Sequence, residues 1–285
     1  MLLNPLTFHS PKTIAEAAEL YTRLENARLQ AGGTFLLNAL KLQKRKGAKT
    51  PEHIISLSNI EDLRGIEAEK NALIIRSMTT ITDLFESKLL EDNFSVLRTV
   101  CRNISTNQIR NRATVGGNMT CRYTWTEMPA VMVGLDATLH FVDAAGKRHA
   151  LGAEEFYKNG AKTSHLFKHV SIPREPDITL AYRRVKKTQY VDIPLLSLLI
   201  KTTFQGKNFT NTRVAINNCV QFAQRDAKLE GFLNGRAATA KTAQEALENL
   251  TTDIYDTRSN DYKKYMFRVS LKSALEELVK KVNNK

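Results

Sequence analysis

Two glycine–glycine pairs constrain this chain more than any other feature. They lie in Ala31-Gly-Gly-Thr34 and Thr114-Val-Gly-Gly-Asn118, each next to a strand-like segment. Glycine permits positive φ and close approach of a ligand to the main chain, and successive N–H groups in such turns bind anions such as phosphate. A Gly–Gly pair taken alone is more often part of a tight turn than of a phosphate-binding site. Neither loop matches the Rossmann or P-loop pattern, so any nucleotide would bind on a different scaffold.

The composition fits a globular chain with a strong positive charge. The 285 residues suggest roughly two domains at about 150 residues each, and 42% of them are apolar, enough for a core without disulfides. Lys and Arg number 42 against 29 Asp and Glu, which leaves a net charge of +13. This charge is compatible with an anionic surface such as nucleic acid, with an acidic protein partner, or with a solvated Lys-rich surface.

The three cysteines, Cys101, Cys121 and Cys219, exclude several classes of site. An odd and widely spaced set is not a disulfide scaffold and fits a reducing compartment. Without a C-x-x-C pair, the chain has neither a four-cysteine zinc site nor a self-contained iron–sulfur site. No segment approaches the about 20 apolar residues that cross a bilayer, and the N-terminus lacks a secretory signal pattern. We therefore predict a cytoplasmic location.

Helical and strand-like segments alternate up to residue 173. Thr13 and Glu16 form a T-x-x-E capping-box pattern at the start of a helix over 13–29. By contrast, 107–118 is polar, glycine-containing and aperiodic, which predicts a loop. The other predicted helices are 35–42, 80–90 with Thr79 or Thr80 as its cap, 94–105 and 129–135, and the predicted strands are 27–30, 53–58, 72–77, 137–143, 148–151 and 165–172.

The composition changes at Pro173-Arg-Glu-Pro176, which we interpret as a linker between domains. Three strands are predicted beyond it, over 179–187, 193–204 and 209–219, followed by two helices near 239–250 and 260–282. An antiparallel sheet with helices predicts an α+β domain.

Several runs of the sequence resemble one family. They are Phe8-His-Ser-Pro-Lys-Thr-Ile-Ala-Glu-Ala17, the first glycine loop, Thr50-Pro-Glu-His-Ile-Ile-Ser-Leu57, the whole of 104–118, Met128-Pro-Ala-Val131 and Asp261-Tyr-Lys-Lys-Tyr265. These runs are similar to the flavoprotein (medium) subunit of molybdenum hydroxylases, a family that includes aerobic carbon monoxide dehydrogenase and the FAD subunits of xanthine dehydrogenase-type enzymes. The similarity covers essentially the whole chain, with the two glycine loops in the family's order and at its separation.

The resemblance implies an α+β fold in two domains. Residues 1–176 would form an FAD-binding domain of the vanillyl-alcohol-oxidase (PCMH) type, with lobes near 1–58 and 59–176 and FAD extended between them. Residues 177–285 would form a smaller α+β domain with an antiparallel sheet, of the carbon monoxide dehydrogenase flavoprotein type, which covers the flavin.

Carried over by position, the resemblance also assigns the contacts with FAD. The first loop would wrap the pyrophosphate with backbone N–H groups through Leu29, Gln30, Ala31, Gly32, Gly33, Thr34, Phe35 and Leu36. The second loop would contribute Thr114, Gly116, Gly117 and Asn118. Apolar packing would come from Ile104 and Phe167, and polar contacts from Glu127, in place of the usual Asp, and Arg183, where relatives often have Lys or another polar residue.

Three departures from the family pattern affect these contacts more than the fold. Phe35 follows Thr34 where the family has a polar residue, which removes one polar contact. Glu127 is one methylene longer than Asp. The run Cys121-Arg-Tyr-Thr-Trp-Thr126 lacks the family's small residues, and its Tyr123 and Trp125 would either stack on a ring or fill a gap in the core.

The function implied by the resemblance is that of an electron-transfer flavoprotein subunit in a hetero-oligomer. Electrons would pass from [2Fe–2S] clusters of a small partner subunit through FAD to NAD, quinone or oxygen, while a large partner subunit with the molybdenum cofactor oxidises the substrate. Because the flavin ring carries the chemistry, we predict no catalytic residue on this chain. The alternatives are a stand-alone FAD oxidoreductase and a degenerate scaffold subunit without flavin.

A basic nucleic-acid-binding protein is the remaining alternative, and only charge favours it. No nucleic-acid motif accompanies the basic runs, and such binding would fall steeply with salt. We expect these runs to face acidic partner subunits or solvent: Lys41, Lys44, Arg45, Lys46 and Lys49 in one, and Arg183, Arg184, Lys186 and Lys187 in the other. The six histidines show no metal-ligand spacing, so we predict no metal site.

Overall fold

The computed structural model describes residues 3–121, 126–160, 165–188, 190, 193–251, 255 and 260–284. These residues form three β-sheets with helices packed on them. This architecture, with two antiparallel sheets, confirms the predicted α+β class. Among the helices described, none is long and apolar enough to cross a membrane.

The first sheet is parallel and lies near the N-terminus. Its strands are β1 (Thr7–His9), β2 (Ala27–Gln30) and β3 (His53–Ser56), in the order β1-β3-β2. Two helices complete this lobe, α1 (Ile14–Arg23) and α2 (Leu36–Arg45). Strand β2 therefore leads through the first glycine loop directly into α2.

The predicted start of α1 is confirmed, but its predicted length is wrong. Thr13 Oγ1 accepts the N–H of Glu16 at 3.2 Å. The Glu16 carboxylate accepts from the N–H of Lys12 at 2.8 Å, so the reciprocal half of the capping box is shifted by one residue. The helix ends at Arg23 rather than at 29, and the chain turns at Asn26, with a φ of 53°, into β2.

The second sheet has five antiparallel strands in the order β4-β5-β8-β6-β7. They are β4 (Ile66–Ala68), β5 (Ala72–Arg76), β6 (Thr138–Val142), β7 (Arg148–Gly152) and β8 (Leu166–Pro173). The helices of this part are α3 (Ile81–Glu86), α4 (Ser95–Asn103), α5 (Asn107–Arg110), α6 (Val115–Thr120), α7 (Met128–Gly134) and α8 (Ala153–Lys158). Every residue of α7 is buried, so this helix is a central element of the core.

The loop predicted over 107–118 is partly wrong, because α5 and the start of α6 lie within it. Thr106 Oγ1 accepts the N–H of Ile109 at 3.4 Å, and Thr114 Oγ1 accepts the N–H of Gly117 at 3.1 Å. A threonine hydroxyl at each N-cap compensates for the low helix propensity of the residues that follow.

The third sheet is antiparallel, in the order β12-β11-β10-β9. Its strands are β9 (Thr179–Lys186), β10 (Pro194–Gln205), β11 (Asn208–Asn217) and β12 (Gln224–Arg225), and its helices are α9 (Ala227–Leu233), α10 (Ala240–Glu245) and α11 (Asp261–Asn283). Successive residues of a strand face opposite sides. Leu198 packs in the core that contains Leu271 of α11, whereas Leu199 packs against Gly134 of α7. The sheet therefore shares a core with the first part of the chain.

Candidate cofactor-binding site

The first glycine loop joins β2 to α2 and exposes its main chain. Gly33 has a φ of +72°, a left-handed conformation that favours glycine, and the Gln30 amide lies beside it. Four half-buried N–H groups of this loop donate to no acceptor among the described residues. They belong to Ala31, Gly32, Gly33 and Thr34. Such a row of N–H groups is suited to bind an anion such as phosphate.

The second glycine loop uses its N–H groups within the protein. It opens α6, with the buried Thr114 as N-cap. Each N–H from 115 to 118 has a protein acceptor: Val115 with Thr79 O at 2.9 Å, Gly116 with Ser77 O at 2.8 Å, Gly117 with Thr114 Oγ1 at 3.1 Å and Asn118 with Thr114 O at 3.0 Å. The predicted contacts of this loop with FAD would therefore use side-chain atoms or the exposed surface of Gly117.

The two glycine loops touch each other. A Cβ atom on Gly32 would lie 1.9 Å from the carbonyl oxygen of Arg112, which precedes the second loop, so only a hydrogen atom fits there. A Cβ atom on Gly117 would lie 3.9 Å from the Cβ atom of Ala31. The fold thus brings together the two motifs that the sequence separates.

Glu127 lies at the start of α7, where two side chains of β9 bind its carboxylate. Arg184 Nε donates to Oε1 at 2.6 Å, and the Tyr182 hydroxyl donates to Oε2 at 3.2 Å. Burial raises the pKa of Glu127, and the charge of Arg184 opposes that shift. The Glu127 carboxylate already accepts from these two donors, so a polar contact with the cofactor would add a further partner to the same carboxylate.

Further contacts fix the segment that runs from the second loop to Glu127 at both ends. Asn118 Oδ1 accepts the N–H of Met128 at 3.3 Å. Asn217 of β11, which is 1% exposed, donates its Nδ2 to the carbonyl oxygen of Thr126 at 3.1 Å. The C-terminal sheet therefore holds the far end of this segment. Tyr123 and Trp125, discussed above as ring-stacking residues, lie outside the described residues.

The sequence predicted a site role for Arg183 but not the contacts that Arg184 and Tyr182 make with Glu127. Arg183 projects to the opposite face of β9, where Nη1 pairs with Glu277 at 2.6 Å and Nη2 donates to the carbonyl oxygen of Ser273 at 2.9 Å, both on α11. The structure does not bring it to Glu127. The alternation of a strand could have shown that Tyr182 and Arg184 share a face that Arg183 does not, but not which face meets Glu127.

The apolar candidates occupy two cores and the surface. Ile104 and Phe167 are buried in the core of the five-stranded sheet, and Leu29 packs on the core of the N-terminal lobe. Phe35 is 40% exposed at the start of α2, and Leu36 is half-buried. Their contacts with FAD remain a prediction.

A second polar cluster joins the C-terminal sheet to the rest of the chain. Lys201 of β10 is 3% exposed, and its Nζ pairs with Asp136 at 2.7 Å and Glu175 at 2.5 Å. Asp136 follows α7, and Glu175 lies in the predicted linker, so this linker is anchored to the sheet it precedes. A buried ammonium needs such carboxylate partners.

Three residues without ligand spacing in the sequence come together in the structure. Ligand atoms of Asp143, His149 and His165 all lie within 4.8 Å of one another. The two imidazole rings stack, with centroids 4.2 Å apart and planes 13° apart. A metal ion lies in the plane of an imidazole that coordinates it through a ring nitrogen, and two near-parallel planes at this separation do not share such a position. We therefore assign no metal site to this cluster.

Comparison with known proteins gives the class of the chain. The family model of the FAD binding domain in molybdopterin dehydrogenase matches residues 4–175, more than half of the sequence. The chain is thus an oxidoreductase flavoprotein subunit. It belongs to the family with the FAD-binding domain of molybdopterin dehydrogenases, and its cofactor is FAD.

Individual relatives agree with this assignment. The carbon monoxide dehydrogenase medium chain of Hydrogenophaga pseudoflava is 28% identical over 94% of this chain and 95% of its own. The xanthine dehydrogenase FAD-binding subunit of Escherichia coli O157:H7 is 24% identical over 96% of each. The solved carbon monoxide dehydrogenase from H. pseudoflava matches with a TM-score of 0.88 and 27% identity, over 97% of this chain and 98% of that one. The predicted family and the PCMH-type fold are confirmed.

Proposed function

We propose that this chain is the electron-transfer subunit of a molybdenum hydroxylase-type enzyme. In this proposal it receives electrons from [2Fe–2S] clusters of a small partner subunit and passes them through FAD to a terminal acceptor, while a large subunit with the molybdenum cofactor oxidises the substrate. The observation that carries the proposal is the row of N–H groups at 31–34, which donate to no acceptor in the described part of the chain and lie in contact with the second glycine loop.

The residues of the chain would act by binding and orientation. The four N–H groups of the first loop, with the Thr34 hydroxyl beside them, would hold the pyrophosphate of FAD, since their dipoles offset its negative charge. FAD, when bound, supplies the ring that accepts and donates electrons. Arg184, Tyr182 and Asn217 would hold the segment after the second loop in place from the C-terminal sheet.

We also propose a separate role for each of the two domains. We assign residues 1–176, with lobes 1–58 and 59–176, to FAD binding and residues 177–285 to covering the same site. Two ion pairs cross this boundary, the buried pair Arg184–Glu127 and the pair of the buried Lys201 with the exposed Asp136, and they would keep the C-terminal domain closed. Several relatives are named medium chains or subunits, which supports a hetero-oligomer.

The first test is cofactor binding by the purified chain. We expect flavin absorption bands, and tight uptake of FAD by protein from which flavin has been removed. FMN lacks the pyrophosphate and is the matched control, and it should bind far more weakly. ADP contains the pyrophosphate without the flavin and should compete with FAD. Equal binding of FMN and FAD would contradict a pyrophosphate site, and a chain that takes up neither would be a scaffold subunit.

The second test is electron entry. In an assembly with both partner subunits, anaerobic addition of the substrate should bleach the flavin absorption of this chain. The isolated, FAD-loaded chain should stay oxidised under the same conditions. If the isolated chain is reduced at the same rate, it is a stand-alone FAD oxidoreductase and the proposed electron route is wrong.

A further inference from the structure

The exposed side of α2 is a surface that the proposed function does not use. This ten-residue helix has one buried residue, Leu40. Leu37 is 50% exposed and Leu42 is 37% exposed. At 3.6 residues per turn, these two leucines share one side of the helix with three exposed polar residues. We call this set the α2 face: Leu37, Asn38, Lys41, Leu42 and Arg45.

The α2 face lies in a strongly cationic part of the chain. Residues 34–49 contain no Asp or Glu. Among the ion pairs of the described residues, Lys49 reaches Glu52 at 3.5 Å, but none involves Lys41 or Arg45. Any carboxylate that pairs with these two exposed cations would come from outside residues 34–49.

The structure distinguishes the two basic runs of the sequence. Arg183 and Arg184 are paired internally, with Glu277 and Glu127, so they do not form the partner-facing surface expected from the sequence. In the other run, Lys44 is half-buried, and the exposed residues are Lys41, Arg45, Lys46 and Lys49. One exposed cluster of positive charge therefore lies next to the first glycine loop, since α2 begins directly after Phe35.

We infer that the α2 face docks an acidic protein surface on the partner subunits, and this inference rests on the proposed function. The two cations would pair with carboxylates of the partner, and the two leucines would contact its apolar side chains. Protein interfaces typically combine an apolar centre with a polar rim in this way. An amphipathic helix of this kind binds into a groove through residues one turn apart. The partner would then lie beside the loop that holds the cofactor.

The test measures assembly of the full chain with purified small and large partner subunits over a series of NaCl concentrations. Lys41→Glu with Arg45→Glu should raise the Kd about tenfold or more at low salt, and this difference from the wild-type chain should shrink as NaCl screens the new repulsion. Leu37→Ser with Leu42→Ser should raise the Kd and leave the salt dependence intact. Lys147→Glu with Arg148→Glu makes the same charge change at an exposed turn of the five-stranded sheet and should leave the Kd unchanged.

The outcomes separate this inference from the proposed function. If the charge-reversed α2 variant assembles and binds FAD like the wild-type chain, the docking surface is elsewhere and the proposed function stands. If the wild-type chain binds FAD but not the partner subunits, both are wrong. Two further results would also overturn the inference: sedimentation of the wild-type chain with vesicles of phosphatidylglycerol and phosphatidylcholine, lost in the Leu37 and Leu42 variant, or self-association lost in that variant.

Discussion

The first and second glycine loops look alike in the sequence and use glycine for different purposes. In the first loop, Gly33 adopts a φ of +72°, and the N–H groups around it have no acceptor in the described protein. In the second loop, neither glycine has a positive φ, and every N–H from 115 to 118 is bonded within the protein. Gly116 is needed because a Cβ atom there would lie 2.7 Å from the carbonyl oxygen of Ser77.

The difference distinguishes a loop whose N–H donors are available from a loop that is bonded into the protein, which we call the joint. The first loop keeps its donors available to a ligand. The second loop is bonded to the five-stranded sheet, packs against the first loop and connects through Asn118 and Glu127 to the C-terminal sheet. Substitutions in the first loop should therefore affect FAD binding most, and substitutions in or around the second should affect stability without FAD.

The largest effect on stability is expected at the contact between Glu127 and Arg184 of the C-terminal sheet. Arg184→Met should lower the free energy of unfolding by about 3–5 kcal/mol, because removal of one partner leaves a buried charge uncompensated. The pKa of the Glu127 carboxyl, already raised by burial, should then rise further. A carboxyl whose pKa is higher in the folded state loses its penalty as the pH falls, so the deficit should shrink between pH 7 and pH 5.

Urea unfolding of the FAD-free chain at both pH values measures this effect. Arg183→Met is the matched control, since Arg183 pairs with a partly exposed Glu277, and such pairs contribute about 1 kcal/mol or less. Equal losses for the two variants would mean that the Glu127 contact is not a joint.

Contact between the loops is probed by Gly32→Ala. The new Cβ atom would be 1.9 Å from the carbonyl oxygen of Arg112, so one backbone must move, which typically costs about 1–3 kcal/mol. We expect the FAD affinity to fall by about tenfold or more, because the free N–H groups are displaced from the second loop. The control is Gly152→Ala, which has ordinary φ and nothing near its Cβ position. Retained affinity would show that the loops act independently.

The sequence predicted the elements better than the contacts between them. Local signals such as the caps at Thr13 and Thr80 predicted helices that the structure confirms, and the strand predicted over 193–204 is confirmed as β10. The resemblance of the sequence to molybdenum hydroxylase flavoprotein subunits also predicted the correct family. The partners of Glu127 depend on how a strand from the C-terminal part meets α7, which is a packing result with no local signal. The distinction between the glycine loops depends on φ and on neighbours such as Ser77, which a Gly–Gly pair does not encode.

Thr114→Val tests whether the second loop is a joint. The substitution keeps the shape and removes the hydroxyl that accepts the N–H of Gly117, so it should cost about 1 kcal/mol of stability without FAD. Thr13→Val removes a comparable N-cap far from Glu127, on α1, and should cost a similar amount without affecting FAD. A loss of FAD affinity for Thr114→Val well beyond its stability cost would show that this hydroxyl contacts the cofactor directly.

The smallest effect is expected at the second glycine of the second loop. In Gly117→Ala, the Cβ atom meets Thr114 Oγ1 at 3.1 Å, a mild crowding, while alanine gains up to about 1 kcal/mol of helix propensity. The net change in stability should therefore stay within about 0.5 kcal/mol.

The same substitution at the equivalent position of the first loop, Gly33→Ala, forces a side chain into φ of +72° and should cost about 1 kcal/mol. Thermal unfolding with and without FAD measures both, and the cost at Gly33 should increase when FAD is present. If the two variants behave alike, the loops do not differ in the way their hydrogen bonds indicate.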